Sequence, residues 1–180
     1  MSFEPQLAFS IEDAKPWYFI FWLRYKLVET SKFKMGVGFH PGFVFSTNNL
    51  VNNGITKEYF TAARFFVAEL TPNYFLSKNI SVGLYYLHSR GFNSDLKQLN
   101  FLGFNSNFSN IKLIDKFFMR LVPQIYYLKA DDKDGVYITS TVTLAKRGFP
   151  LTLSSIVNKK LQSNIPSDDF VWNISLAYSY

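Results

Sequence analysis

The sequence predicts an all-β protein, an antiparallel up-and-down transmembrane β-barrel of about ten strands. Three observations carry that expectation. Phe170, Trp172, Ile174, Leu176, Tyr178 and Tyr180 alternate with Val171, Asn173, Ser175, Ala177 and Ser179, the period of a strand with two unlike faces. The same alternation recurs along nearly the whole chain, with no convincing helical period. Third, the chain lacks the charge a soluble domain shows to water. Of its 180 residues 19% are aromatic and 18% charged, against roughly 25% charged in ordinary globular proteins.

Composition narrows the function classes. There is no cysteine, which excludes disulfides and thiolate metal sites. The net charge is +6, but the basic residues are scattered, and Asn158-Lys159-Lys160 is too short for a nucleic-acid stripe. No nucleic acid is expected. No apolar run reaches the ~20 residues of a membrane helix; Trp17 to Leu23 is followed at once by Arg24 and Lys26. Met1-Ser2-Phe3-Glu4-Pro5 has no leader pattern, so an exported protein would have its leader absent from this chain. One domain is expected over 1–180, as a whole barrel or the C-terminal part of a larger one.

The strands are read in order. A weak first strand, Gln6 to Ile11, puts Leu7, Phe9 and Ile11 on one face. The second, Trp17 to Val28, sets Trp17, Phe19, Phe21, Leu23, Tyr25 and Leu27 against Arg24 and Lys26. The third, Phe33 to Ser46, sets Met35, Val37, Phe39, Pro41, Phe43 and Phe45 against Lys34, Gly36, Gly38, His40 and Gly42. Pro41 lacks a ladder donor, so a bulge or an unpaired edge is expected there. Asn-rich Thr47 to Glu58 reads as a loop. The fourth strand, Tyr59 to Phe75, has a poor pattern. Arg64 and Glu69 have opposite parity and need a bulge if both are to face a lumen.

The fifth strand sets Ile80, Val82, Leu84, Tyr86 and His88 against Ser81, Gly83, Tyr85 and Ser89. Arg90 to Gln98 reads as a loop. The sixth, Leu99 to Ser109, sets Leu102, Phe104 and Phe108 against Gly103, Asn105 and Asn107. The seventh sets Phe117, Met119, Leu121, Pro123, Ile125 and Tyr127 against Arg120, Gln124 and Tyr126. Asp131 to Gly135 reads as a hairpin turn ending in Asp-Gly. The eighth sets Ile138, Val142 and Leu144 against Tyr137, Thr139, Thr141 and Thr143, and the ninth sets Leu151, Leu153 and Val157 against Ser154, Asn158 and Lys160.

Which face is inside follows from chemistry. The polar face is Ser, Thr, Asn, Gly and an occasional Arg, suited to a hydrated lumen. Aromatics such as Trp17, Tyr25, Tyr86, Tyr127 and Tyr178 stand near strand ends on the apolar face, where membrane interfaces collect them. Each clear strand offers the 9–11 residues that cross a bilayer. An even strand count with short turns at one end and longer loops at the other fits bacterial outer-membrane barrels.

The chain resembles small Gram-negative outer-membrane barrels. Its hairpin Pro72-Asn73-Tyr74-Phe75-Leu76-Ser77-Lys78-Asn79-Ile80-Ser81-Val82-Gly83 is similar to those of the OmpX and opacity-protein family, and the chain looks like the uncharacterised barrels common in Bacteroidota. Trp172, Leu176, Tyr178 and Tyr180 resemble the C-terminal signal read by the barrel-assembly machinery. The resemblance implies the bacterial outer membrane as location, with its lipid and lipopolysaccharide and that machinery as partners. It implies no activity.

Expected lumen-lining residues are Arg24, Lys26, Lys34, His40, Asn105, Asn107, Arg120, Gln124, Asn158 and Asn173, with Arg64 a further candidate. They make a mildly basic lumen, either an anion-preferring pore or a filled interior in which the cations bond Tyr85, Tyr126, Tyr137, Asn105 and Gln124. Lipid-modifying barrel enzymes need His with Ser or a carboxylate. His88 and Ser89 point to opposite faces, and His40 has no carboxylate on its own strand's face. The acidic turns Asp131–Asp134 and Ser167–Asp169 read as solvated tips. No catalytic group, cofactor or metal is therefore expected, and the protein reads as non-enzymatic: a structural barrel or narrow pore. The alternatives are an outer-membrane lipid-modifying enzyme and a soluble ligand-binding β-barrel.

Overall fold

A computed structural model describes residues 1–9, 15–52 and 55–178, with the side chains of 48–52, 55–57 and 59 excepted. Ten strands follow one another: β1 (Ser2–Phe9), β2 (Pro16–Glu29), β3 (Phe33–Asn52), β4 (Ile55–Phe75), β5 (Ile80–Phe92), β6 (Gln98–Ile114), β7 (Phe117–Ala130), β8 (Lys133–Lys146), β9 (Leu151–Ser163) and β10 (Phe170–Tyr178). Each pairs antiparallel with the next, so the sheet order is the chain order. The fold class is the expected one. The seam between β1 and β10 is open among the described residues.

Local chemistry explains the turns. Asn93, Asn110, Asp115 and Asp131 hold positive φ, a region Asn and Asp tolerate better than other side chains. The β7–β8 turn is Asp131–Asp132, three residues before the Asp134-Gly135 pair. Gly135 lies within β8, opposite Leu128. Asp131 wins the turn because its carboxylate also accepts the backbone N–H groups of Lys97 and Gln98.

Other boundaries differ from the sequence reading. β1 spans Ser2–Phe9, and Ile11 lies outside the described residues. Thr47 to Glu58 is no loop: β3 and β4 stay in one register from Phe33↔Tyr74 to Asn52↔Ile55. This hairpin outruns its neighbours. Pairing with β2 ends at Tyr18↔Val44 and with β5 at Arg64↔Phe92. Above that line the two strands form a free arm, in which Phe45 stacks on Phe60 at 5.5 Å and the Ser46 and Thr61 hydroxyls lie 2.9 Å apart. Arg90 to Phe92 belong to β5, and the loop after it is 93–97. Pro41 causes no bulge. Its pairing with β4 is regular, but pairing with β2 skips from Ile20↔Gly42 to Leu23↔Phe39, so the lost donor interrupts one ladder without shifting it.

Orientation follows from burial. His40 is wholly buried and Glu69 is 5% exposed. Phe39 is 53% exposed, Phe43 37%, and Trp172 and Ile174 61% each. The aromatic parity therefore points outward and the Gly, Asn, Ser and Thr parity inward. In water such a surface would be a large apolar patch. In hydrocarbon it is the expected wall. Trp172, Leu176 and Tyr178 share the outward face of β10; Tyr180 lies outside the described residues.

Candidate functional site: the inner face

Register carries the inward parity from strand to strand and assembles a polar cluster at β2–β5. Arg24 is opposite Gly38, and Gly38 is opposite Glu69. The Glu69 carboxylate accepts from Arg24 Nε at 2.7 Å and from the Tyr85 hydroxyl at 2.6 Å. Arg24 also lies over the Trp22 ring at 4.7 Å, and Trp22 Nε1 donates to Gln6 on β1 at 2.8 Å. His40 sits beside Trp22, with ring centroids 4.4 Å apart. Its Nδ1 accepts the Leu23 N–H at 3.1 Å, beside the ladder gap left by Pro41. That bond places the ring hydrogen on Nε2, which lies 3.3 Å from Glu69 Oε1 without a hydrogen-bonding geometry. Gly38 makes the cluster possible: a Cβ there would come within 2.6 Å of Glu69 Cγ. The inward glycines leave room for bulky neighbours.

Beyond Tyr85 the band continues as rings. Tyr85 meets Phe101 edge-on at 5.6 Å, Phe101 stacks on Tyr126 at 4.9 Å, and Tyr126 stacks on Tyr137 at 5.0 Å. The phenols stay satisfied: Tyr126 donates to Asn158 at 3.1 Å, and the Tyr137 and Ser163 hydroxyls lie 2.7 Å apart. Side chains from β1 through β9 thus form one connected strip across the inner face. Ring pairs of this geometry add about 0.5–1.5 kcal/mol each beyond their burial.

A cavity of about 440 Å³ lies at the β2–β3 end of that strip, lined by Arg24, Lys26, Glu29, Lys34, Thr71 and Asn73 among others. Lys26 and Lys34 share the Glu29 carboxylate, at 3.1 and 2.9 Å. The structure thus brings together four sequence-named residues, Arg24, Lys26, Lys34 and His40. It leaves the others apart. Arg120 donates to Asn107 at 2.6 Å on β6–β7, Asn105 stands opposite Gln124, Asn158 caps Tyr126, and Asn173 stands opposite Ile156 on the edge pair. Lys160 bonds Asp169 at 2.8 Å and the Ser167 carbonyl. That ammonium holds the Asp169 carboxyl below its usual range. Its small contribution is therefore present above the ordinary Asp pKa and is lost as pH falls through the lowered one.

Two sequence expectations fail here. Arg64 is not a lumen residue: it pairs with Phe43 and Phe92 on the outward face. No bulge separates it from Glu69, which alone turns inward. Nor do the lumen cations bond the inner tyrosines: Arg24, Lys26, Lys34 and Lys160 meet carboxylates, and Arg120 meets Asn107. Glu69 is the residue the sequence reading missed. The Gly38-x-His40 pair, two small-and-polar inward positions on the next strand, is the signal that could have found its seat. His88 is outward as expected, 2.8 Å from Asn100, with Ser89 on the other face.

No protein-family model matches the chain, and no curated relative does. Two solved structures share its fold. OmpT of Vibrio cholerae, an outer membrane protein folded in vitro, is 12% identical over 99% of this chain and 61% of its own, with a TM-score of 0.59. Its loop L8 deletion mutant is 13% identical over 98% and 58%, with a TM-score of 0.61. The chain spans about three fifths of the length of these neighbours. The likeness corrects one expectation. The reading as non-enzymatic rested on lacking a motif, whereas the shared fold is one that carries enzymes as well as other outer-membrane proteins. That exclusion is withdrawn. The ten-stranded sheet with its outward aromatic face has the fold of an outer-membrane β-barrel protein.

Proposed function

We propose that the chain builds the wall of an integral barrel in a bacterial outer membrane, with a structural role and an inner face furnished for stability. The observation that carries this reading is the pairing of the inward cations. Arg24 meets Glu69, Lys26 and Lys34 meet Glu29, and Lys160 meets Asp169. A lumen built to attract anions would leave such charges free. The ring strip adds bulk to a barrel that is narrow at ten strands. The kin we infer, from the hairpin and terminal motifs, are opacity-type barrels of the kind common in Bacteroidota.

One observation favours a second reading, a narrow anion-preferring, porin-like pore. Two ammoniums share one carboxylate at the 440 Å³ cavity, so one positive charge is left over. Conductance across a planar bilayer separates the two. The structural reading expects no steady channel current from wild-type protein, and a stable open level overturns it. A current whose anion preference disappears in Lys26→Gln/Lys34→Gln supports the pore.

A further inference from the structure

We infer a binding site for a phosphorylated glycolipid of the outer leaflet on the outward face of β2–β5, with Arg64 and Arg90 as phosphate ligands. The inference rests on the membrane-barrel reading above and names a lipid for it.

A pocket of about 390 Å³ lies on this face. Of its eight lining residues, six have outward parity: Phe21, Pro41, Phe43, Arg64, Phe66 and Phe92. Its volume is in the range of small-ligand sites, about 300–1,000 Å³. Four phenylalanines wall it and a guanidinium stands at its rim. Arg90 joins from the next strand. Arg64 is opposite Phe92 and Arg90 is opposite Phe66, so the two arginines are diagonal cross-strand neighbours, roughly 7–8 Å apart at their backbones. The Arg90 guanidinium lies over the Phe92 ring at 5.8 Å.

The charge pattern says what should fill the pocket. Arg24, Lys26, Lys34 and Lys160 all face inward and all meet a carboxylate. Arg64 and Arg90 face outward, and among the described residues no carboxylate reaches either of them. An arginine on the lipid side is costly at mid-depth and nearly neutral at the interface, where a phosphate can take its two parallel N–H donors. Arg64 and Arg90 stand where β5 ends and the β3–β4 arm leaves the sheet. The turns at the opposite end, 30–32, 76–79 and 115–116, are short, the habit of the periplasmic side. The arginines therefore stand at the external leaflet, whose lipid is a phosphorylated glycolipid. One acyl chain would enter between Phe43, Phe66 and Phe92, with the phosphate held above it. A second outward pocket of about 390 Å³, lined by Phe117, Leu144, Lys146 and Leu176 among others, lies near the other end. It has a single ammonium, 5.5 Å from the Phe117 ring, and serves as an internal control.

The test uses the full chain folded in detergent, with native mass spectrometry reading retained lipid A. Wild-type protein should retain bisphosphorylated lipid A about tenfold better than dephosphorylated lipid A, the size expected for one charge-assisted contact. Arg64→Gln/Arg90→Gln should lose that preference, and Lys146→Gln should keep it. Equal retention of the two lipids by wild type, or an unchanged preference in the double variant, overturns the site. Should the double variant fail to fold, the wild-type comparison decides alone. Wild-type protein that stays in solution without detergent overturns the barrel reading itself; detergent dependence without the phosphate preference overturns the lipid site only.

Discussion

Phe104→Arg is expected to destabilise the folded protein by about 2–4 kcal/mol, while Asn105→Arg, one residue on, costs under about 1 kcal/mol. Phe104 is exposed on the outward face opposite Ile125, and Asn105 faces inward opposite Gln124. The two positions share a strand and nearly the same depth, and differ in parity and hence in what they face. A guanidinium in mid-depth hydrocarbon loses its water with no partner to replace it. On the inner face it keeps water and finds Asn and Gln side chains. Unfolding from lipid vesicles by denaturant measures both variants. Equal costs would mean that the two faces see the same medium.

Glu69→Ala is expected to cost about 3 kcal/mol in the same measurement. Removing one member of a buried ion pair strands the other, at roughly 3–5 kcal/mol. The lower end applies because the Arg24 side chain is 43% exposed and can recover some water. Tyr85 loses its acceptor as well, and His40 loses the carboxylate 3.3 Å from its Nε2. Glu69→Gln keeps an acceptor for one of the two donors and should cost about half as much. Tyr85→Phe leaves the ion pair in place and removes one hydrogen bond to a charged group, about 1.5–3 kcal/mol before the carboxylate repairs itself with water. A Glu69→Ala cost below that of Tyr85→Phe would mean that Arg24 does not depend on this carboxylate.

Much of this fold was legible because two media impose a period of two. β5, β7, β8 and β10 alternate cleanly, so their inward and outward sets could be read off one strand at a time. β4 could not be read that way. Its Arg64 and Glu69 are both charged, and a rule that sends every charge to the lumen requires a bulge between them. The register is regular, and Arg64 simply faces outward with Phe43 and Phe92. The Asn-rich stretch from Thr47 failed for a related reason. Where a ribbon leaves the sheet both of its faces can be polar, so the alternation fades and the segment resembles a loop. The Glu69 cluster was hidden for a different reason. Its members come from four strands, and what holds a carboxylate inside is an arginine 45 residues away. A single strand's pattern does not display what the next strand sets beside it.

The free arm of β3 and β4 has a consequence for evolution and for engineering. From Phe45 to Asn52 it is eight residues of ribbon with no flanking strand, roughly 25 Å at strand rise. A two-stranded ribbon by itself is barely stable in water, so this one is anchored at its root by the wall. Toward its far end, Glu58 pairs with Lys15 in the segment before β2. With the short turns on the periplasmic side, as proposed above, the arm would project outside the cell, and a peptide tag spliced into it would be displayed there.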